Sequence, residues 1–376
     1  MADKPESVKD QARRLARASA VAKGKIDRPL NLMEVCGTHT VALFRHGVRG
    51  LLPEGIRLLS GPGCPVCVTG IPDVESAMAI ARMPGVVLCT FGDMMRVPGG
   101  KLTLFDAKAD GADVRIVYSP LDALKLAAEN PDLKVVFFAT GFETTSPLVA
   151  ATIMQAEVQG VENFYVHTVH KLVPPALEAL LGSGEVKIDG LVLPGHACSI
   201  TGTGPFEFVA EKHGVPAVVT GFGALDMLEG ILMILNQIVA GRPEVDIQYK
   251  KIVRPEGNPR ALQALDKVFT PADAYWRGIG SIPQSGFALK EPYAKREALQ
   301  VLGPIAVPEY SEPKGCSCGE VLKGLKLPTD CKLFGKACTP ERPVGACMVS
   351  TEGSCAAYFK YGATGSATGS ATGTFY

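Results

Sequence analysis

The chain has 376 residues, with 38 basic and 38 acidic side chains, six histidines and eleven cysteines. A zero net charge argues against nucleic acid as the main partner, and this length suits two or three domains whose cores need no disulfide bonds. No run approaches the roughly 18 apolar residues of a membrane span, and the N-terminal segment lacks the apolar stretch of a secretory signal. We therefore expect a cytoplasmic protein without nucleic-acid or membrane partners, in which clustered cysteines bind metal or act as redox groups.

The predicted elements begin with an amphipathic N-terminal helix, in which Val8 and Leu15 fall at helical spacing. From about residue 30 to 245, short apolar runs alternate with helical stretches, which is typical of buried parallel strands joined by βαβ units. One connecting helix has a clear start, because Ser119 can cap it and Pro120 suits its first turn. The six predicted strands cover residues 86–89, 114–118, 135–139, 164–166, 191–193 and 217–219.

Four of these strands end in a glycine turn, usually with a polar residue beside it. Ligands of open α/β sheets bind outside the carboxyl ends of the strands. Each glycine alone is explained by a tight turn, but four similar ends favour a cleft shared by two similar lobes. Neither the dinucleotide fingerprint nor the P-loop motif occurs, so nucleotide binding has no motif support. The turns lie at residues 89–93, 139–143, 193–196 and 219–223.

Beyond about residue 255 the alternation fades, and a region rich in cysteine, glycine and proline follows. Clustered thiolates suit either an iron–sulfur cluster or a zinc ion, and the spacing matches neither the usual C-x₂-C zinc pairs nor the ferredoxin run. Six candidates for four ligand positions leave a spare pair, which favours redox chemistry over a purely structural site. The six cysteines are Cys316, Cys318, Cys331, Cys338, Cys347 and Cys355.

Two further motifs contain cysteine. Cys64 and Cys67 form a C-x-x-C pair, a spacing that lowers the pKa of the nucleophilic thiol; half of a metal site is the alternative, although no second C-x-x-C completes it. Cys36 and His39 form a C-x-x-H pair that suits a transition metal or an imidazole-activated thiolate, and a structural role is equally open. The remaining cysteines are interpreted as small apolar core residues, Cys89 and Cys198.

Taken together, these motifs resemble one family, the hydrogenase maturation factor HypD family. The resemblance covers the chain from about residue 5 to 361, and the strings are long and unusual. It rests on C-G-T-H at 36–39, G-P-G-C-P-V-C at 61–67, T-G-F-E-T-T at 140–145, P-G-H at 194–196, G-C-S-C-G-E-V-L from 315 and C-M-V-S-T-E-G-S-C at 347–355.

The resemblance implies a scaffold on which the Fe(CN)₂CO group of [NiFe]-hydrogenases is built, an assembly factor with redox-active thiols rather than a conventional turnover enzyme. The implied partners are a HypC-type chaperone, HypE as cyanide donor with HypF upstream, and the precursor of the hydrogenase large subunit downstream. Cys36 is implied as a ligand of the transiently bound iron that carries CN and CO, with His39 close by. Cys64 and Cys67 are implied as the redox-active pair of the cleft.

The resemblance also implies that the C-terminal module holds a [4Fe-4S] cluster, in a setting similar to ferredoxin:thioredoxin reductase. It implies four ligands and one adjacent thiol pair, through which electrons would reach the C-x-x-C pair. The ligands are Cys316, Cys331, Cys338 and Cys355, and the pair is Cys318 with Cys347. Four polar residues at strand ends are expected to orient the incoming group or move protons, with capping or turn roles as the alternative: Glu143, Thr144, Thr145 and His196.

The expected fold class is α/β, with two similar Rossmann-like lobes built on parallel sheets and a third, Cys-rich iron–sulfur domain. The N-terminal helical segment is expected to pack with the C-terminal domain, and the last residues, a repeat of small residues, to form a flexible tail. The expected boundaries are 1–29 for the N-terminal segment, 30–120 for the first lobe, completed by about 218–248, 121–217 for the second lobe, 249–361 for the [4Fe-4S] domain and 362–376 for the tail.

Two other functions compete with cofactor assembly. An iron–sulfur-dependent protein disulfide reductase explains the cysteine-rich module and the C-x-x-C pair, but it gives C-G-T-H no role. A zinc-stabilised binding protein without redox chemistry explains only the cysteine-rich module. Iron and sulfide analysis separates the zinc alternative from the others.

Overall fold

Strands and helices alternate through most of the chain in the computed structural model, which describes residues 7–26, 28–303 and 305–362. The strands are β1 (Leu30–Glu34), β2 (Ile56–Ser60), β3 (Val86–Thr90), β4 (Val114–Ile116), β5 (Lys134–Ala139), β6 (Phe164–Thr168), β7 (Gly190–Pro194), β8 (Ala217–Thr220), β9 (Val245–Ile247), β10 (Phe269–Trp276) and β11 (Gly280–Leu289).

The α-helices are α1 (Val8–Lys23), α2 (Gly37–Arg45), α3 (Val48–Leu51), α4 (Pro65–Val68), α5 (Ile71–Ala81), α6 (Leu104–Ala109), α7 (Pro120–Glu129), α8 (Ser146–Gln159), α9 (Val173–Ser183), α10 (Gly195–Thr201), α11 (Phe208–Glu211), α12 (Ala224–Ala240), α13 (Pro259–Val268), α14 (Ala298–Val301), α15 (Cys318–Leu322) and α16 (Ser354–Tyr361). Short 3₁₀ helices span Gly92–Arg96, Gly204–Phe206, Tyr293–Arg296, Pro328–Asp330 and Ala346–Met348. None of the helices in the described part of the chain has both the length and the apolar character needed to cross a bilayer.

Two parallel sheets organise the protein. The first has the strand order β2-β1-β7-β8-β9 and the second has the order β4-β3-β5-β6. Every pairing within both sheets is parallel, whereas β10 and β11 form an antiparallel hairpin. The prediction of an α/β fold with parallel sheets is confirmed, and all six predicted strands are present.

The sheet order corrects the predicted boundaries of the two lobes. The chain completes β1 and β2, builds the whole second sheet from β3 to β6, and only then returns to the first sheet with β7. The predicted split at residues 30–120 and 121–217 therefore places β3 and β4 in the wrong lobe, and β7 as well. Apolar runs identify strands but not the strands with which they pair. β3 pairs with β5, for example between Val86 and Lys134, rather than with β2.

The N-terminal helix forms as predicted, but it packs elsewhere. Asp10 N–H donates to the Ser7 side chain at 3.2 Å, which caps the start of α1. Leu15 and Ala22, on its buried face, share a core with β1 and α12 of the first lobe. This corrects the expectation that the segment packs with the C-terminal domain, because its apolar stripe matches the apolar face of α12.

The region after residue 249 does not form the single domain that was expected. The hairpin β10–β11 bridges to the first lobe at Thr69 and to the second lobe at Lys171, and α13 packs against α8. The cysteine-rich region instead joins the core on one face of the first sheet, together with Met33 and Leu59. In the predicted tail, residues 363–376 lie outside the described residues.

Candidate functional site

The C-G-T-H motif follows β1 closely: Cys36 is the residue that precedes α2, and Gly37, Thr38 and His39 form the first turn of that helix. Cys36 is 8% exposed, and its N–H donates to the Glu34 carboxylate at 3.1 Å. Thr40 donates its hydroxyl proton to the other oxygen of Glu34 at 2.5 Å. Burial raises the pKa of Cys36 to about 12 and that of Glu34 to about 7. The thiol therefore stays protonated at neutral pH unless a positive charge, such as a metal ion, stabilises its thiolate.

The G-P-G-C-P-V-C loop follows β2, which lies beside β1, and it touches the Cys36 turn through its backbone. Gly37 N–H donates to the carbonyl of Gly63 at 2.9 Å. A Cβ on Gly63 would lie 2.3 Å from the nitrogen of Cys36, so this approach requires glycine. Cys64 and Cys67 are both buried directly beyond this contact, which brings the C-x-x-C pair and the C-x-x-H pair into one region.

An aromatic stack joins the C-G-T-H motif to two other strand ends of the first sheet. His39 Nε2 lies 3.0 and 3.1 Å from the carbonyl oxygens of Thr220 and Gly221, so this nitrogen carries the proton and donates. The imidazole stacks on Phe222 at 4.5 Å, and Phe222 stacks on His196 at 4.0 Å. Burial lowers the pKa of His39 to about 4, so the ring is neutral at physiological pH.

The T-G-F-E-T-T motif follows β5 of the second sheet. Glu143 is 2% exposed, and one of its oxygens accepts the Val173 N–H at 2.7 Å. Burial raises the pKa of Glu143 to about 7, and its second oxygen has no hydrogen-bond partner. Cys198 lies within electrostatic range of both Glu143 and Cys36, which connects this motif to the first lobe.

The other predicted polar residues are less enclosed than Glu143. Thr144 and His196 are exposed, and Thr145 is half-buried at the start of α8. Burial lowers the pKa of His196, with Glu352 opposing the shift. The structure thus brings His196 together with the C-G-T-H motif, and Thr144 and Thr145 lie beside Glu143 at the end of the second sheet.

A continuous set of thiol contacts leads from the C-x-x-C pair into the cysteine-rich region. The Cys67 thiol contacts those of Cys64 and Cys347. Cys347, which is fully buried, also contacts Cys318 and Cys355. The Cys318 contact is the main cause that raises the pKa of Cys347 well above its usual range. Residues far apart in the chain thus form one buried group of sulfurs.

Two of the other three cysteines, Cys316 and Cys338, lie close to the same group. Cys316 contacts the Cys318 thiol, and this contact raises its pKa. Cys338 is buried within electrostatic range of both, and Cys331 Sγ lies 3.8 Å from the carbonyl of Gly315. Among the described residues, no three acidic, histidine or cysteine side chains are already gathered as a single-ion site. The all-sulfur donor set fits an iron–sulfur cluster by its chemistry, because thiolates are the ligands of such clusters.

Sequence reasoning missed three residues that shape the site. Glu34 is the buried acceptor of the Cys36 amide, and Phe222 is the ring between the two histidines. Glu352, within C-M-V-S-T-E-G-S-C, accepts the Thr38 hydroxyl proton at 2.7 Å and lies within electrostatic range of Cys36. For Glu352 the available signal was an acidic residue inside a quoted motif, and for Glu34 it was an acidic residue just before one. Phe222 had no signal beyond its position in a strand-end turn.

A cavity of about 730 Å³ opens beside the C-G-T-H turn. Thr38 and Glu352 lie on the side of Cys36, and Arg45, Arg96 and Lys360 give the wall three positive charges. Glu341, Thr351 and apolar side chains complete the lining. The cavity is therefore an accessible surface of mixed character next to the buried thiol of Cys36.

The fold and the site together define a two-sheet α/β protein with a thiol-rich centre. A family model described as "HypD: Hydrogenase formation hypA family" matches residues 9–362. The chain is 44% identical over 366 residues to hydrogenase maturation factor HypD2 of Bradyrhizobium diazoefficiens, covering 95% of this chain and 96% of the relative. It is also 44% identical over 358 residues to hydrogenase maturation factor HypD of Escherichia coli, again covering 95% and 96%. The chain belongs to the HypD family of hydrogenase maturation factors.

Proposed function

We propose that this protein is the scaffold on which the Fe(CN)₂CO group of a [NiFe]-hydrogenase is assembled. The observation that carries the proposal is the convergence of C-G-T-H, G-P-G-C-P-V-C and the cysteine-rich region on one buried group of sulfurs, with the Cys36 turn at its edge. Membership in a family of hydrogenase maturation factors supports it.

Cys36 is the proposed protein ligand of the iron that is being built up as cargo. Its buried thiol gives up a proton only when a cation replaces that proton, and iron supplies this charge. The cavity beside Cys36 is accessible from outside, so a second protein can approach the same iron there. We assign this approach to the HypC-type chaperone.

HypE is the proposed cyanide donor, with HypF upstream, and the large-subunit precursor is the proposed recipient of the finished group. Glu143, Thr144, Thr145 and His196 are proposed to orient the incoming group or to move protons. Glu143 suits proton transfer because its raised pKa of about 7 allows both protonation states near neutral pH.

The cysteine-rich region is proposed to hold a [4Fe-4S] cluster, which supplies single electrons when bound. Its proposed ligands are Cys316, Cys331, Cys338 and Cys355. The proposal is supported by the thiol contacts among these cysteines and their neighbours and by the burial of Cys338 and Cys355 in the core of the first lobe, against which the partly buried Cys316 packs.

Thiol–disulfide exchange is the proposed link between the two cysteine groups. The Cys347 thiol gives up its proton as it attacks the Cys67 sulfur of an oxidised Cys64–Cys67 pair, and Cys318 then resolves the mixed disulfide. Two electrons and two protons pass to the C-x-x-C pair, and a Cys318–Cys347 disulfide remains. The contacts of Cys347 with both Cys67 and Cys318 support this order.

Infrared spectroscopy of anaerobically purified protein with its chaperone tests the role of Cys36. We expect CO and CN stretching bands in the unaltered complex and their loss in Cys36→Ala. Cys89→Ala, a change in the buried strand β3, is the matched control and should keep the bands. Full bands in Cys36→Ala would show that Cys36 is not the iron ligand.

Visible absorption tests the cluster assignment. Changing Cys331 and Cys338 together to serine should remove the cluster absorbance and lower iron and sulfide content to background. Retained absorbance would reject these two ligands. Zinc in place of iron and sulfide in the unaltered protein would instead favour a zinc-stabilised binding protein.

A protein disulfide reductase that depends on an iron–sulfur cluster is the second candidate function. The Cys67–Cys347 contact favours it, because this contact joins a C-x-x-C pair to the proposed cluster region. Such a protein would reduce substrate disulfides and would show no CO or CN bands, so the infrared experiment separates the two functions.

A further inference from the structure

A short segment between two of the cysteines folds back onto sulfur. Arg342 N–H donates to the Thr339 carbonyl at 3.0 Å, which makes a tight turn directly after Cys338. The turn returns the chain to Cys338, where Val344 N–H donates to Sγ at 3.3 Å. The amide of Gly345 makes a second hydrogen bond to the same sulfur.

Two further sulfurs lie on the side of Gly345 where a side chain would be attached. A Cβ at this position would lie 2.5 Å from Cys318 Sγ and 2.6 Å from Cys316 Sγ, closer than real Cβ atoms approach any atom. Its φ of −108° is an ordinary backbone conformation for any residue. Glycine is therefore required here because of the sulfurs and not because of the backbone.

We propose that Val344 and Gly345 are positioning residues of the cysteine-rich site. Their amides hold the Cys338 sulfur in place as a metal-binding thiolate, and the missing side chain of Gly345 leaves room for the sulfurs of Cys316 and Cys318. The inference rests on the proposed function insofar as the metal group is an iron–sulfur cluster. Hydrogen bonds to a ligating sulfur stabilise its negative charge, and in iron–sulfur proteins they help to set the reduction potential.

The first experiment compares Gly345→Ala with Gly182→Ala in the full chain, purified anaerobically. Gly182 lies in α9 with nothing within 4 Å of its added Cβ, so it is a matched control. We expect wild-type iron and sulfide content in Gly182→Ala and at least a threefold loss in Gly345→Ala. Unchanged iron, sulfide and reduction potential in Gly345→Ala would overturn the inference.

The second experiment does not depend on a cluster. In the metal-free protein, alkylation of Cys338 by iodoacetamide, followed by peptide mass spectrometry, should be at least threefold faster in Gly345→Ala than in wild type or in Gly182→Ala. Cys89, which is fully buried in β3, reports on global unfolding and should stay protected. An unchanged rate at Cys338 contradicts the positioning role.

The two experiments separate the inference from the proposed function. A wild-type protein that binds no iron or sulfide rejects the cluster, whereas faster alkylation of Cys338 in the metal-free variant still supports the positioning role. If Gly345→Ala also exposes Cys89, the same alkylation measurement is made on Val344→Pro. This variant removes one hydrogen-bond donor to the Cys338 sulfur without adding an atom beside Cys316 and Cys318. Faster alkylation of Cys338 with Cys89 protected supports the inference, and an unchanged rate rejects it.

Discussion

Glu143 is a carboxyl group that the fold holds away from water. The Val173 amide donates to one of its oxygens, and the other oxygen has no hydrogen-bond partner. Burial disfavours the charged form, which raises its pKa from 4.5 to about 7. The folded protein therefore keeps this proton over a pH range in which the unfolded chain releases it, and stability falls as the pH rises from about 4.5 to about 7.

Glu143→Gln should remove this pH dependence, because an amide carries no charge and still offers an oxygen to Val173. We expect the variant to be more stable than wild type by up to about 3 kcal/mol above pH 7, with the difference vanishing near pH 4.5. Urea unfolding at several pH values measures it. The exposed Glu256→Gln serves as the control and should show no such trend. A constant difference at all pH values would contradict the assignment.

At the scale of elements, the turn after β1 and the loop after β2 meet through glycine. A Cβ on Gly63 would approach the backbone of Val35 and Cys36, directly after β1, at 2.4 and 2.3 Å, and backbone atoms cannot rotate away as the end of a side chain can. A Cβ on Gly37 would similarly lie 2.6 Å from the Glu352 carbonyl. The geometry of the site thus depends on two positions at which three motifs approach without side chains.

Gly63→Ala should destabilise the protein by about 1–3 kcal/mol, the usual cost of an overpacked site. We also expect it to displace the Cys36 turn. Gly50→Ala is the matched control, because its Cβ meets nothing within 4 Å and alanine favours the helix α3. Denaturant unfolding measures both variants, and equal stability of the two would show that the loop can separate from β1 without cost.

At the scale of the whole molecule, the two sheets are built from interleaved parts of the chain, and the cysteine-rich region closes over the first of them. The 3₁₀ helix Ala346–Met348 approaches α4 closely enough for Cys347 to contact Cys67. This contact joins two segments that no local pattern relates. It also gives a direct contact between a sulfur of the C-x-x-C pair and a sulfur of the cysteine-rich region.

A disulfide between Cys67 and Cys347 should form on mild oxidation when their competing partners are removed. We expect the Cys64→Ser, Cys318→Ser, Cys355→Ser triple variant, treated with diamide, to yield a cross-linked peptide pair that mass spectrometry identifies, because Cys355 also contacts Cys347. The same variant carrying Cys347→Ser is the control and should yield none. Absence of the Cys67–Cys347 peptide, or a different pairing in its place, would contradict this contact.

Local patterns in the sequence were sufficient for the α/β class and for six of the eleven strands that the described residues form. The β-branched runs identified these strands, although two of the three residues of β4 are exposed. Ser119 caps α7 as expected, by accepting the Leu121 amide at 3.2 Å. Strand and cap signals are readable because they depend on neighbouring residues. The motifs also identified the family, since their strings are long and specific.

Only the tertiary structure decided which strands share a sheet, where α1 packs, and which cysteines touch. β7 joins β1 across the whole second lobe, and Cys347 reaches Cys67 from the far end of the chain. These long-range contacts are determined by the fit between whole apolar faces and by the close approach of turns such as the one at Gly63. A pattern of neighbours along the chain specifies what is buried, but the partner that buries it is set by packing between distant segments.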